Sequence, residues 1–373
     1  MSASPIRLGD PVPWFGARTV TGASVDLHVD AGRWVVLAFA GAGDRAQAAR
    51  ELAPILAAVR PDRDDRIVAY VVLAAPPDAV GDLARMSGPG LAFIADPDDA
   101  IAERYGAKGA PRTLVLDPML RAVANIAWDH QGGHAEALRG LLAGLPSVDE
   151  SCGVTLTAPA LIVPRVFDFA LCDLLVGLYD QMGGEDSGFL FDQHGKTATV
   201  IDHSLKRRQD LVIAVPELRA TLREQIVRRL LPAVERYFQF RATRMDRYLV
   251  SCYDSALGGH FFRHRDNVNA GAQHRRFAVS INLNGDYDGC DLIFPEFGRR
   301  TYRAPVAGAV VFSCGALHEV TPIRRGRRYA FLPFLYGEGD AELRQANNAR
   351  LRQGETHYAA DGHDRLVAAN DPL

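Results

Sequence analysis

The chain has 373 residues, 48% hydrophobic and 23% charged, with a formal net charge of −3. That length suits two ordinary domains, each able to bury a core. The near-balanced charge argues against a nucleic-acid or anionic-membrane partner, and no apolar run reaches the length of a bilayer span.

The first ten residues lack a hydrophobic signal region, so the expected location is cytoplasmic. Residues 1–149 alternate between strand and helix patterns. Arg33 to Ala40 is a nearly continuous apolar run, as expected of a strand covered on both faces. From Arg45 to Val59, Ala46, Ala49, Leu52, Ala53, Leu56 and Val59 recur at helical spacing. Ile67 to Ala74 and Thr113 to Leu116 are further buried strands, which predicts an α/β domain with partly parallel pairing.

Two segments carry a resemblance. Leu8-Gly9-Asp10-Pro11-Val12-Pro13-Trp14-Phe15, followed by Thr21-Gly22 and Val25-Asp26-Leu27, resembles the opening of a peroxiredoxin. Ala110-Pro111-Arg112-Thr113-Leu114-Val115-Leu116-Asp117 is similar to the thioredoxin-fold segment in which a proline, cis in thioredoxins, precedes an internal strand. The resemblance implies a thioredoxin-like fold for residues 1–149. Its chemistry does not carry over. A peroxiredoxin needs a low-pKa thiolate at a helix N-terminus, where this chain reads Ala40-Gly41-Ala42-Gly43-Asp44-Arg45-Ala46-Gln47. A thiol-less domain of this kind reads as a module for partner binding or homodimerisation, or as a structural cap.

Leu145-Pro146-Ser147-Val148-Asp149-Glu150 marks a boundary, and a second domain is expected over 156–339. Phe167 to Met182 is amphipathic at helical spacing, as is Pro216 to Phe238, where Leu231-Pro232 is a point of fracture. From Asp246 to Tyr336, short strands separated by Gly, Asp, Asn and Pro indicate a β barrel or sandwich. Residues 340–373 read as a polar tail. The five cysteines, Cys152, Cys172, Cys252, Cys290 and Cys314, are odd in number with no C-x-x-C pair. They read as packing thiols in a reducing compartment.

The chemistry concentrates in His264-Arg265-Asp266, the later His318, and Arg327-Arg328. Two imidazoles and a carboxylate make the facial triad of non-haem Fe(II) oxygenases, which leaves positions open on the metal. Strand alternation would point His264 and Asp266 at one ion and Arg265 away. The spacing alone is common by chance; the surrounding block is not.

Cys252-Tyr253, Gly258-Gly259, Phe262-Arg263-His264-Arg265-Asp266-Asn267, Ser280-Ile281-Asn282-Leu283-Asn284, Ile293-Phe294-Pro295-Glu296 and His318-Glu319-Val320-Thr321-Pro322 occur in order. Together they resemble the prolyl 4-hydroxylase-like Fe(II)/2-oxoglutarate dioxygenases, nearest to the oxygen-sensing prolyl hydroxylase branch. The resemblance implies a double-stranded β-helix (jelly roll) with flanking helices. It implies His264, Asp266 and His318 as iron ligands and Arg328 as the partner of the distal carboxylate of 2-oxoglutarate, with Arg327 as the alternative. Tyr253 matches the family tyrosine that bonds the co-substrate. Asn282 replaces a second tyrosine of the oxygen sensors, a departure that bears on the substrate, and remains a co-substrate contact in this reading. Fe(II), 2-oxoglutarate and O2 follow as cofactor and co-substrates, with ascorbate as an expected stimulant; the ligand set alone would also accept manganese, cobalt or nickel.

The reaction so implied is hydroxylation of an unactivated C–H, since halogenases of this class lack the carboxylate that Asp266 supplies. The expected substrate is a small molecule, such as a free or carrier-bound amino acid of the proline or pipecolate kind. A protein or peptidyl prolyl hydroxylase is the alternative, and a non-catalytic 2-oxoglutarate- or partner-binding protein is the reading from another class.

Overall fold

The computed structural model describes residues 6–40, 66–75, 87–88, 90–128, 133–193, 195–359 and 364–367. They form two compact units, Met1–Ala158 with Phe294–Arg300, and Pro159–Ile293 with Thr301–Leu373. The helix expected over 45–59, and positions 41–47 where a peroxidatic thiol would stand, lie outside the described residues.

The first unit is built on a five-stranded sheet. Its strands are β1 (Trp34–Ala40), β2 (Ile67–Leu73), β3 (Leu91–Ala95), β4 (Arg112–Leu116) and β5 (Ala122–Ala127), in the order β3-β2-β1-β4-β5. β1 runs parallel to β2, and β2 to β3, while β4 and β5 are antiparallel. Every residue of β1 and β2 is buried, which explains their unbroken apolar sequence: neither face meets water. After the single-turn α1 (Ala100–Arg104), helix α2 (Gly133–Ala143) puts Leu138 and Leu142 into the core with Trp34, Val36 and Phe93. This is the thioredoxin-like α/β layer expected. The Ala110–Pro111 peptide is trans, unlike its thioredoxin counterpart, because all described peptides are trans; trans is the lower-energy isomer unless the surroundings enforce the other.

The second unit is a double-stranded β-helix. Its strands, after β6 (Leu161–Val163) and β7 (Glu185–Asp186), are β8 (Lys206–Arg207), β9 (Gln209–Val212), β10 (Arg244–Asp246), β11 (Leu249–Asp254), β12 (His260–His264), β13 (Phe277–Asn282), β14 (Leu292–Ile293), β15 (Thr301–Tyr302), β16 (Ala309–Ser313), β17 (His318–Val320), β18 (Arg327–Phe331) and β19 (Phe334–Tyr336). One sheet runs β10-β19-β13-β18-β11-β9-β7, with β16 joining β13 to β6; the other runs β8-β12-β17-β14-β15.

Helix α3 (Phe169–Met182) buries Leu171, Cys172, Leu175 and Tyr179 in the same core as Val250, Ile281 and Phe331 of the larger sheet. The second helical run divides into α4 (Pro216–Arg229) and α5 (Leu231–Phe238). Pro232 lies in the first turn of α5, where its missing N–H costs no helical bond. The polar segment after Gly339 is more than a tail. Helix α6 (Glu338–Ala346) caps the unit, and buried Arg244 bridges Asp364 at 2.7 Å and Glu338 at 2.9 Å. No helix among the described residues is long and apolar enough to cross a membrane.

Candidate active site

The smaller sheet brings two histidines face to face. β12 and β17 pair antiparallel with Phe261 opposite Val320 and His264 opposite His318. Phe261–His264 thus holds one residue more than His318–Val320, a bulge of the kind that re-aims a side chain. The bulge accompanies rings whose centroids are 4.2 Å apart. Asp266 follows just past the strand end, anchored by its N–H to the Cys314 carbonyl at 3.0 Å. Its carboxylate lies 3.6 Å from His264 Nε2 and 3.4 Å from His318 Nε2. The potential ligand atoms of all three residues fall within 4.8 Å of one another. Arg265 turns the other way and donates to the Gly315 carbonyl.

The hydrogen bonds around the two imidazoles decide what they present. His264 Nδ1 is 2.7 Å from the Phe262 carbonyl and His318 Nδ1 is 3.0 Å from the Ala316 carbonyl. A carbonyl only accepts, so each Nδ1 carries a proton, and Nε2 is the ring nitrogen that each histidine turns toward Asp266. A metal-binding histidine has its tautomer fixed in this way. Burial pushes the His264 pKa down to about 3, with help from neighbouring His318, so the ring is neutral. For Asp266 burial opposes the charge, but His318 and His264, with Arg275 and Arg247, hold its carboxyl below the ordinary range. Phe261 stacks on His264 and Phe312 meets His318 edge-on. Two imidazoles and one carboxylate with converging ligand atoms fit a divalent ion of the facial-triad type.

The triad opens on a cavity of about 60 Å³. Its opposite wall comes from the larger sheet, where Tyr253 of β11 pairs with Arg328 of β18. Both are buried and both line the cavity. Alternation along β18 turns Tyr329 outward to α3, its hydroxyl donating to Asp180 at 2.6 Å. Arg328 faces in. Its Nε and Nη2 donate to Asn282 Oδ1 at 3.1 and 2.9 Å, and Nη2 donates to Ser280 Oγ at 2.7 Å.

This corrects two expectations. Arg327 is on the outer face, exposed, paired with Asp254 at 2.7 Å, and absent from the cavity wall. Strand period is the reason: one residue of displacement along β18 reverses the side. Asn282 is not among the lining residues; its oxygen is taken by Arg328 and its Nδ2 donates to the Ala304 carbonyl at 2.7 Å. It holds the arginine and leaves the cavity wall to its neighbours. His274, outside the triad, is buried with Nε2 3.7 Å from Asp246.

Three polar lining residues escaped the sequence reading: Ser280, Arg208 and Arg247. Ser280 was legible, since it precedes Asn282 by two residues on one strand. Arg208, ion-paired to Asp210 at 2.6 Å, and Arg247 carry no sequence signal of their place.

Residues 248–336 match the 2OG-Fe(II) oxygenase superfamily. A PKHD-type hydroxylase of Synechococcus sp. (strain JA-2-3B'a(2-13)) is 29% identical over 112 residues, covering 27% of this chain and 49% of that relative. The chain therefore spans about half the length of the relative it matches. A solved prolyl-4-hydroxylase from Pseudomonas putida is similar to 51% of this chain and to 96% of its own, at 17% identity and a TM-score of 0.37. Peroxidoxin BcpB from Mycobacterium tuberculosis is similar to 38% of this chain and 99% of its own, at 19% identity and a TM-score of 0.33. The second unit of this chain thus carries a 2OG-Fe(II) oxygenase domain.

Proposed function

We propose that the chain is an Fe(II)- and 2-oxoglutarate-dependent dioxygenase that hydroxylates an unactivated C–H of a small molecule, such as a free or carrier-bound amino acid of the proline or pipecolate kind. The observation that carries this reading is the convergence on one cavity of two Nε2 atoms, the Asp266 carboxylate and the inward Arg328. In this reading His264, Asp266 and His318 hold the ion. When bound, the ion activates O2 and couples oxidative decarboxylation of 2-oxoglutarate to substrate hydroxylation.

The chain's own residues supply position and exclusion of water. Arg328 receives the distal carboxylate of 2-oxoglutarate, for which a guanidinium can donate two parallel bonds. Asn282 and Ser280 keep that guanidinium aimed. Tyr253 packs its ring 5.7 Å from the Arg328 guanidinium, and Phe261, Leu292, Phe312 and Val320 give apolar walls that keep water from the reacting atoms. A cavity of about 60 Å³ supports a small substrate over a polypeptide.

The test is succinate formation by anaerobically purified, Fe(II)-loaded chain supplied with 2-oxoglutarate, O2 and a panel of amino acids and peptides, with and without ascorbate. Stimulation by a free amino acid, lost in His264→Ala, is the expected result. Stimulation only by peptides would move the peptidyl reading to the front. Absence of 2-oxoglutarate binding would sink the assignment. For the first unit we propose partner binding or homodimerisation, because residues 1–149 contain no cysteine for redox work. Light scattering of the full chain reads the dimer directly. The cysteines described are all free, in keeping with a cytoplasmic location.

A further inference from the structure

The cavity holds one more cation than the proposed chemistry uses. Arg208, Arg247 and Arg328 all line it. Arg208 is neutralised by Asp210 at 2.6 Å. Arg328 is held by Asn282, Ser280 and the Cys290 thiol, none of them a carboxylate, and so keeps its charge for a ligand. Arg247 touches the Phe334 ring at 4.8 Å and makes no ion pair or hydrogen bond among the described residues. The acid beside it in sequence is taken, since Asp246 is held by Arg344 at 3.0 Å and lies 3.7 Å from Arg275.

A count of formal charge shows what is left over. A divalent ion less the Asp266 carboxylate leaves one positive charge, and Arg328 adds a second; dianionic 2-oxoglutarate cancels both. Arg247 stays unbalanced on the wall of the same cavity. A partly desolvated cation without a counter-ion is costly. Its backbone is also held at φ 68°, a left-handed conformation uncommon for arginine, which gives the side chain its direction.

We infer that Arg247 is the anion-recognition group for the substrate, so that the molecule hydroxylated carries a carboxylate. This rests on the dioxygenase reading above and narrows it: a free amino or imino acid satisfies Arg247, whereas a carrier ester or an internal peptide residue, whose carboxyl is an ester or amide, does not.

Binding separates the two levels of the argument. The full chain, loaded with Mn(II) as a redox-silent ion and saturated with 2-oxoglutarate, is titrated by calorimetry with the protein amino acids and pipecolate, each beside its carboxamide. At least one free acid is expected to bind about tenfold or more tighter than its amide, the scale of a charge-assisted hydrogen bond. Arg247→Met is expected to erase that difference while 2-oxoglutarate affinity, measured before the second ligand, stays within about twofold of wild type. Arg247→Gly, which suits a left-handed backbone, guards against a folding artefact and is expected to behave alike. Lack of any acid-over-amide preference in the wild type, including no binding by any acid, overturns the inference. So does loss of 2-oxoglutarate binding in both variants, which would make Arg247 a co-substrate group. Failure of wild type to bind Mn(II) and 2-oxoglutarate at all is a different result, and sinks the dioxygenase reading itself.

Discussion

Replacing Asn282 by leucine, its near-isostere, tests how the cavity keeps its arginine. Arg328 is 4% exposed and donates twice to Asn282 Oδ1, at 3.1 and 2.9 Å. Hydrogen bonds to charged groups contribute about 1.5–3 kcal/mol, and two donors sharing one acceptor oxygen are counted together at roughly 3 kcal/mol. Loss of the Nδ2 bond to the Ala304 carbonyl, 2.7 Å in the native protein, adds about 1 kcal/mol. The extra apolar burial of leucine offsets about 1 kcal/mol, leaving a net cost of about 3 kcal/mol for the second unit. With a urea dependence of about 2–3 kcal/mol per molar, the midpoint falls by roughly 1 M. The protein offers a built-in control, because its three tryptophans, Trp14, Trp34 and Trp128, all belong to the first unit. Far-UV circular dichroism should therefore reveal an early transition that tryptophan fluorescence does not follow. The affinity for 2-oxoglutarate should drop about tenfold as the guanidinium gains other rotamers. A midpoint shift under about 0.3 M, with unchanged 2-oxoglutarate affinity, would refute the role given to Asn282.

Other outcomes follow from the same geometry. Arg328→Ala should abolish measurable 2-oxoglutarate binding while Arg327→Ala stays within about twofold, since an exposed ion pair contributes at most about 1 kcal/mol; equal effects would contradict the register of β18. Asp266→Ala should lose stoichiometric Mn(II) binding by electron paramagnetic resonance, whereas retained binding at wild-type affinity would remove the carboxylate from the ligand set. In metal-free protein, the His264 pKa lies near 3 against an ordinary 6.5. The unfolded chain then binds the extra proton between these values, so the contribution is complete above about pH 6.5 and is lost as pH falls toward 3, with a slope of up to about 1.4 kcal/mol per pH unit. Thermal melts of His264→Asn should be flatter than wild type from pH 6 to 4, and parallel curves would count against the buried neutral imidazole.

Much of this protein could be read along the chain. The unbroken apolar runs of Trp34–Ala40 and Ile67–Leu73 became strands buried on both faces, and Pro232 divided the long helix as its missing N–H requires. His264, Asp266 and His318 were legible because metal chemistry restricts the residue types it accepts, and ordered motifs surround them. Roles that depend on which way a side chain faces were not legible. Arg327 and Arg328 are equivalent as letters; only pairing of β18 with β11 turns one inward and the other to solvent. Asn282 looked like a co-substrate contact until the fold set Arg328 against its oxygen. Arg208 and Arg247 entered the cavity from distant segments with no local pattern to announce them. Local sequence determines periodicity, capping and chemical repertoire, whereas electrostatic partnership is a property of three-dimensional neighbours. That is why the chain alone picked out His264, Asp266 and His318, and only the tertiary structure decided which arginine has a carboxylate partner.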